Sequence, residues 1–549
     1  MPNDRAQTSP IFTNRGDNRA SVAYGAVEEQ TCSPQQDGDE VEEHRGENAK
    51  AKYKTFTEIW VVCLALWAAI FCAAMSATIV ANIQLEIGSD FNAGSLASWL
   101  GTAFLLGVTA ITPLCGRMVE MLGSRNCFLI ALAMFLTGTI GCALASSMIW
   151  VLVARAIAGM GSGGLNTFAA IILARLVSPV DRGLYQGGSS VLQAAGSAVG
   201  AVLGGAVAES WGWRSAFWIQ IPPILLTMRG SIKAQVDDAK PEGCASDKLK
   251  GLDWAGSATL LSAVFAMTLG FTFHNKGFDW SHPLVGGILV ISVFSASAFV
   301  WVEKRATEPL LPLRLLRHRQ PALLLLANIP LTAMWYSRVY FQPVYLQISR
   351  GVDVYHSGSL MMPFTVVAAC ISVYAGWHMR FFREYKWFQV IVPAFSWLQA
   401  LVVVTTWGID TNSTRIATEL AVAGIGAIPY TTLTTALILA VERDEIALAI
   451  SATYVFRAVG QVWGIAIATV IQQSTLLSSL HQRLSQCSPC VIAHIVDNPA
   501  TYIPGLPEVL RLQARLAYMD ATRNIFAFIA ALGVILSAIC VGIRALPLK

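Results

Sequence analysis

Leu152-Val-Ala-Arg155-Ala-Ile-Ala-Gly159, then Asp181-Arg182-Gly183, then Gly196-x-x-x-Gly200-x-x-x-Gly204-Gly205 lie in one stretch, 152–222, that decides the fold. Its apolar runs are each long enough to cross a bilayer, so the solvent that matters is lipid. An arginine inside such a run costs roughly 2.5–3.5 kcal/mol or more unless it faces protein or a water-filled cavity. Glycines four residues apart let helix backbones approach closely, because they put no side chain into the contact. The stretch closes on Trp211-Gly-Trp-Arg-Ser-Ala-Phe-Trp-Ile-Gln-Ile-Pro222. Together these residues point to a polar cavity walled by tightly packed, movable helices.

The remainder of the chain has the same character. Hydrophobic residues make up 54% of it and charged residues 13%, too few to cover a soluble surface of this size. Fourteen spans are expected, at 59–83, 98–115, 127–145, 149–174, 185–207, 213–228, 252–273, 283–302, 321–346, 357–377, 387–408, 416–440, 446–471 and 522–544. The fold class is therefore an all-α polytopic membrane protein. The sixth run is short and is followed by Arg229, so the helix there either runs on through Arg229 or crosses a thinned bilayer. A net charge of +4, spread over short loops, gives no ground for a nucleic-acid partner. No histidine-rich ligand cluster and no nucleophile–base pair falls within the spans, which argues against an enzyme and against a metal or other cofactor. Cys63, Cys72, Cys142 and Cys540 read as small hydrophobes. Cys487-Ser-Pro-Cys490 sits in a polar loop, either as a disulfide or as a free pair.

Residues 1–54 are polar with an acidic cluster from Glu28 to Glu43, and they read as a disordered cytosolic tail rather than a signal peptide. Placing that tail inside puts most lysine and arginine on inner loops, as the positive-inside bias requires, and both termini in the cytosol. Asn412-Ser-Thr then forms a glycosylation sequon on an outer loop. The expected organisation is a six-helix bundle at 55–228, a cytosolic linker at 229–251, two additional helices at 252–302 and a second six-helix bundle at 303–545. Parallel repeats of this kind place a site at their interface near the bilayer midplane.

At this point a specific resemblance emerges. Gly116-Arg-Met-Val-Glu120-Met-Leu-Gly123-Ser-Arg125 between spans 2 and 3, Leu152-x-x-Arg155-x-x-x-Gly159 in span 4 and Gly196 to Gly205 in span 5 resemble signatures of the major facilitator superfamily. With Val177-Ser-Pro-Val-Asp-Arg-Gly-Leu-Tyr-Gln-Gly187, Phe217-Trp-Ile-Gln-Ile-Pro222 and Tyr340-Phe-Gln-Pro-Val-Tyr345, they are similar to its fungal fourteen-span drug:proton antiporter branch. The Ile-Gln-Ile-Pro wording and Leu506-Pro-Glu…Tyr518 are similar to vacuolar basic amino acid transporters and multidrug exporters. The resemblance covers residues 55–545. It implies a carrier of a small-molecule substrate in the lipid bilayer, coupled to protons, monomeric, in the plasma or vacuolar membrane.

The resemblance also assigns roles. Gly116, Glu120, Gly123, Arg125, Asp181 and Arg182 form a gating loop region, whose alternative is an ordinary charged turn. Gly196, Gly200, Gly204 and Gly205 pack the antiporter helix. Ser76, Asn82, Arg155, Gln193, Gln220, Gln342 and Arg457 are candidate cavity residues, each alternatively a helix–helix bonding group. Arg338 is read as snorkelling to the outer interface. The branch carries Leu-Asp-x-Thr-Ile-Val in span 1, whereas this chain reads Met75-Ser76-Ala77-Thr78-Ile79-Val80, so the membrane carboxylate is gone. Without it, Arg155 and Arg457 favour a neutral or anionic solute over a basic amino acid, and proton coupling by the usual residue is lost. The leading expectation is export of a drug, toxin or metabolite. The alternatives are vacuolar amino acid transport and a non-transporting sensor on the same fold.

Overall fold

A computed structural model describes residues 56–91, 99–177, 181–233, 254–275, 278, 281–306, 313–352, 354–442, 445–484, 489–497 and 499–544. The expectations for the tail at 1–54, for most of the linker and for pairing of Cys487 with Cys490 fall outside what it describes, as do the side chains of Glu120 and Cys490 and the surroundings of Gly205. Among the described residues every regular element is a helix.

The first group of helices comprises α1 Phe56–Asp90, α2 Trp99–Leu122, α3 Ser124–Leu144, α4 Met148–Leu176, α5 Arg182–Trp211, α6 Trp213–Trp218 and α7 Ile221–Lys233. Next come α8 Trp254–Asn275 and α9 Pro283–Glu303. The last group runs through α10 Leu313–Arg317, α11 Arg319–Leu326, α12 Asn328–Val344, α13 Val354–Phe382, α14 Lys386–Thr406, α15 Ser413–Ala423, α16 Ile428–Leu439, α17 Ile446–Arg483, α18 Pro489–Asp497, α19 Pro499–Tyr502 and α20 Glu508–Gly542.

Within the first group α4 packs on α2 and α3, and α5 packs on α1. Within the last group α12 packs on α17, and α14 and α17 pack on α20. Helix α8 lies against α2 and α17, at the seam between the groups, and α9 packs on α8. Ser292 Oγ donates to the Ala263 carbonyl at 2.7 Å and holds that outer pair together.

Local chemistry sets the helix ends. Ser147 caps α4 by accepting from the Trp150 N–H at 3.5 Å, and Asn412 caps α15 by accepting from the Thr414 N–H at 3.0 Å. Gly123 (φ 81°) and Gly212 (φ 79°) make the breaks before α3 and α6, a conformation that disfavours a Cβ.

Twelve helices among the described residues are long and apolar enough to cross a membrane, so the count of fourteen is not established. The difference falls at spans 5 and 6. The fifth is present as the continuous 30-residue α5. The sixth is not one helix over 213–228: it breaks between Trp218 and Ile221, and α7 then runs on past Arg229 to Lys233. Pro222 and Pro223 explain the break, since neither offers a backbone N–H to the preceding turn.

The segment 472–521 also differs from the outer loop the sequence suggests. Helix α17 continues for 38 residues, about 57 Å at 1.5 Å per residue, against a hydrocarbon core of about 30 Å. It packs on the first turns of α20 with a core of its own, including Leu476, Leu480, Leu484, Ile492, Ile495, Ala514 and Tyr518. Arg483 and Asp520 pair across that unit at 2.8 Å.

Candidate functional site

Arg155 lies two turns into α4, where close packing of small residues buries it. Gly159 rests on the backbone at Phe104 of α2, and Gly161 rests on Phe135 of α3. With α4 held this tightly, the Arg155 side chain is 2% exposed. Its Nη1 donates to Ser76 Oγ of α1 at 3.3 Å, and its guanidinium stands 4.3 Å from the Phe104 ring centroid. Such cation–π contacts contribute about 0.5–2 kcal/mol. The Nε of Arg155 is buried without a partner among the described residues. From the other group, the Tyr340 hydroxyl of α12 reaches Gly101, one turn from Phe104, and would lie 3.4 Å from a Cβ there.

Arg457 on α17 is held differently. Its Nε donates to Asn328 Oδ1 at 2.8 Å, and its Nη2 donates to the Tyr430 carbonyl and to Thr434 Oγ1, both at 2.8 Å. The rings of Tyr430 and Tyr454 lie 4.9 and 5.3 Å from the guanidinium. None of these described partners of Arg155 or Arg457 is a carboxylate. Two guanidiniums among hydroxyls and aromatic faces suit a neutral, polar-aromatic or anionic ligand.

The two groups meet at the end that carries the 116–125 turn. A Cβ on Gly116 would lie 3.0 Å from Ser451 Cβ, and Ser451 Oγ donates to the Thr112 carbonyl at 2.8 Å. A Cβ on Gly183 would lie 3.1 Å from Gly376 Cα. Arg380 Nε pairs with Asp181 Oδ1 at 3.1 Å. Arg125 Nη2 donates to the Ile232 carbonyl at the end of α7 at 2.6 Å, and Arg182 Nε donates to the Val177 carbonyl at 3.2 Å. Gly196, Gly200 and Gly204 bring α5 onto the α1 backbone at Phe71, Met75 and Ile79.

The other candidates scatter. Asn82 and Gln193 are exposed, Gln220 is buried and donates to the Ala216 carbonyl at 2.7 Å, and Gln342 is buried with neither amide atom hydrogen-bonded among the described residues. Arg338 does not snorkel: it is 5% exposed and turned into the last group, over the Phe526 ring. A sequence gives depth along a helix more readily than the side of the helix that faces lipid. Phe104, Tyr340, Tyr430, Tyr454 and Arg380 were missed. For Tyr340 the signals were the Tyr340-Phe-Gln-Pro-Val-Tyr345 motif and Tyr336, four residues before it on one face of α12.

The Major Facilitator Superfamily model matches residues 66–465. The multidrug resistance protein fnx1 of Schizosaccharomyces pombe is 30% identical, covering 88% of this chain and 92% of that protein. The vacuolar membrane amino acid uptake transporter fnx2 of the same organism is 28% identical, covering 89% and 84%. Among solved structures, the proton:xylose symporter XylE matches with a TM-score of 0.57 at 13% identity, over 88% of this chain and 95% of that one.

Proposed function

Since the chain belongs to the major facilitator superfamily and is a membrane transporter, we propose that it exports a small, neutral or anionic organic solute by alternating access. The observation that carries this reading is Arg155, almost wholly buried and bonded to Ser76 where the drug:proton branch has a carboxylate. A buried guanidinium without a fixed counter-charge favours a ligand that brings electron density to it. Ser76, Phe104 and Tyr340 would present the ligand to Arg155, while Arg457 and its tyrosines form the facing wall. The division into bundles at 55–228 and 303–545, flanking the extra pair, supplies the two bodies that rock.

Export draws support from the likeness to a multidrug resistance protein and to the MFS-type efflux pump MMF1 of Pseudozyma antarctica. In the described conformation the contacts Gly116–Ser451, Gly183–Gly376 and Asp181–Arg380 hold one end together. The alternate conformation requires them to part. The bias of basic residues puts this end and both termini in the cytosol. Protons, the partner the branch implies, would have to act through a group other than residue 76. The protein is proposed to work as a monomer, in the plasma or vacuolar membrane.

Vacuolar amino acid uptake is the second reading, favoured by the 28% identity to fnx2. A substrate screen in a strain lacking its own exporters tests the first. Retention of a small organic solute should fall on expression and recover with Arg155→Met. Flux into purified vesicles, with and without a pH gradient, separates a carrier from a sensor: a sensor moves no solute under either condition.

A further inference from the structure

We propose that Arg338 and Gln342 form a binding site for a small monovalent anion of the chloride type, buried inside the C-terminal group and separate from the Arg155 pocket. Arg338, Gln342, Tyr345 and Ser349 follow one another at four, three and four residues. They therefore lie along one stripe of α12 and the π-helical turn Tyr345–Ser349 that continues it. All four are at most 5% exposed. Tyr345 is satisfied: its hydroxyl donates to the Gly408 carbonyl at 2.9 Å.

The others are not. Both amide atoms of Gln342 and the Ser349 hydroxyl are buried and meet no hydrogen-bonding group among the described residues. For Arg338, the one described contact is the Phe526 ring, 5.9 Å from its guanidinium carbon to the centroid. The charged groups one and two turns before Phe526 on α20 are engaged elsewhere. Asp520 accepts from Ser479 and Arg483, and Arg523 donates to the Trp407 carbonyl at 3.1 Å. No described carboxylate balances Arg338.

A buried cation beside an unmatched amide is unfavourable unless something pairs with both. The guanidinium and the Gln342 amide NH2 offer only donors, which selects an acceptor-only ligand. Size follows from the surroundings. Tyr345 stacks on Trp407 with centroids 4.6 Å apart, and Trp407 meets Phe526 at 5.3 Å. Trp407 and Tyr345 are fully buried, so these rings close the end of the stripe next to Gln342. That enclosure suits a single ion carrying a water for the Gln342 carbonyl oxygen, rather than an organic solute or a lipid headgroup. The ion would tie α12 to α20.

The test is thermal unfolding of the full-length detergent-purified protein, with sodium chloride exchanged for sodium gluconate at constant ionic strength. Chloride should raise Tm by a few degrees, saturably, with bromide acting alike. Arg338→Gln and Gln342→Leu should each remove the chloride-dependent shift, and Arg338→Lys should weaken it. Gln342→Leu keeps the volume close, so the test survives if Arg338→Gln fails to fold. A wild-type Tm that does not respond to chloride overturns the proposal, as does an equal response in Gln342→Leu.

Discussion

Gly183 at the start of α5 and Gly376 near the end of α13 meet backbone to backbone, with Gly376 Cα 3.1 Å from the place a Gly183 Cβ would take. The contact is lopsided. A Cβ on Gly183 first meets the terminal methyl of Met379, at 2.6 Å, which can swing away. A Cβ on Gly376 first meets the Gly183 and Leu184 backbone, which cannot.

Gly376→Ala should therefore weaken closure of this end much more than Gly183→Ala. Cysteine-labelling rates at residues lining that end measure the difference. A tenfold shift in the closed-to-open ratio corresponds to about 1.4 kcal/mol, which an interface forced apart by one methyl group can supply. Equal effects of the two substitutions would show that the described contact does not control closure.

The Asp181–Arg380 pair links the same two elements through charge. Both side chains are substantially exposed, so the pair contributes only about 0.2–1 kcal/mol. Arg380→Asp should raise labelling at that end about two- to fivefold, and Asp181→Arg with Arg380→Asp should return it towards wild type. Raised salt should reduce the wild-type difference, since exposed pairs are screened.

Asp90 gives a prediction with a definite sign. It accepts from Trp213 Nε1 at 3.1 Å and from Arg214 Nη1 at 3.0 Å. The Trp213 N–H and then the Arg214 guanidinium hold its carboxyl below the ordinary aspartate value. A depressed acid stabilises the fold above its unfolded value, about 3.9, and that contribution disappears as pH falls through the lower folded value. The Tm gap between wild type and Asp90→Asn should thus stay constant from neutral pH to about pH 5 and close below about pH 4. A gap that closes between pH 7 and 5 would contradict the assignment. The join between α1 and α6 should hold in a mildly acidic compartment.

Much of this arrangement was legible in the chain. Arg155 in an apolar run announced a buried polar centre, and the glycines at 196, 200 and 204 announced a close helix contact, here with α1. The substitution of Ser76 was equally plain, though its bond to Arg155 depends on two helices meeting across 79 residues of chain. The helical continuation of α17 was hidden because a search for apolar runs stops at Gln472, while Leu476, Leu480 and Leu484 keep a four-residue spacing beyond it. The partners of Arg457 could not be read in advance, because Asn328 on α12 and the Tyr430–Thr434 pair on α16 come from helices distant in the chain from α17. Gly116 and Arg125 stand in one sequence motif, and only the folded chain shows that Gly116 lies against Ser451 of the last group while Arg125 bonds the Ile232 carbonyl at the end of α7.

Ser76→Asp would place a carboxylate beside the Arg155 guanidinium. The new ion pair should cancel the attraction for an anionic ligand and reduce its transport by tenfold or more, about 1.4 kcal/mol at the least. Transport of a neutral solute should change less. Unaltered anion transport in Ser76→Asp would place the ligand away from this pair.

The central claim is that the pocket around Arg155 takes neutral or anionic organic solutes and rejects basic amino acids. Counterflow in proteoliposomes tests it directly, with a small fluorescent organic anion and radiolabelled lysine offered to the same wild-type preparation. The account predicts saturable exchange of the anion, lost in Arg155→Met, and no lysine exchange above protein-free liposomes. Saturable lysine exchange that survives in the wild type while the anion fails to move would contradict it.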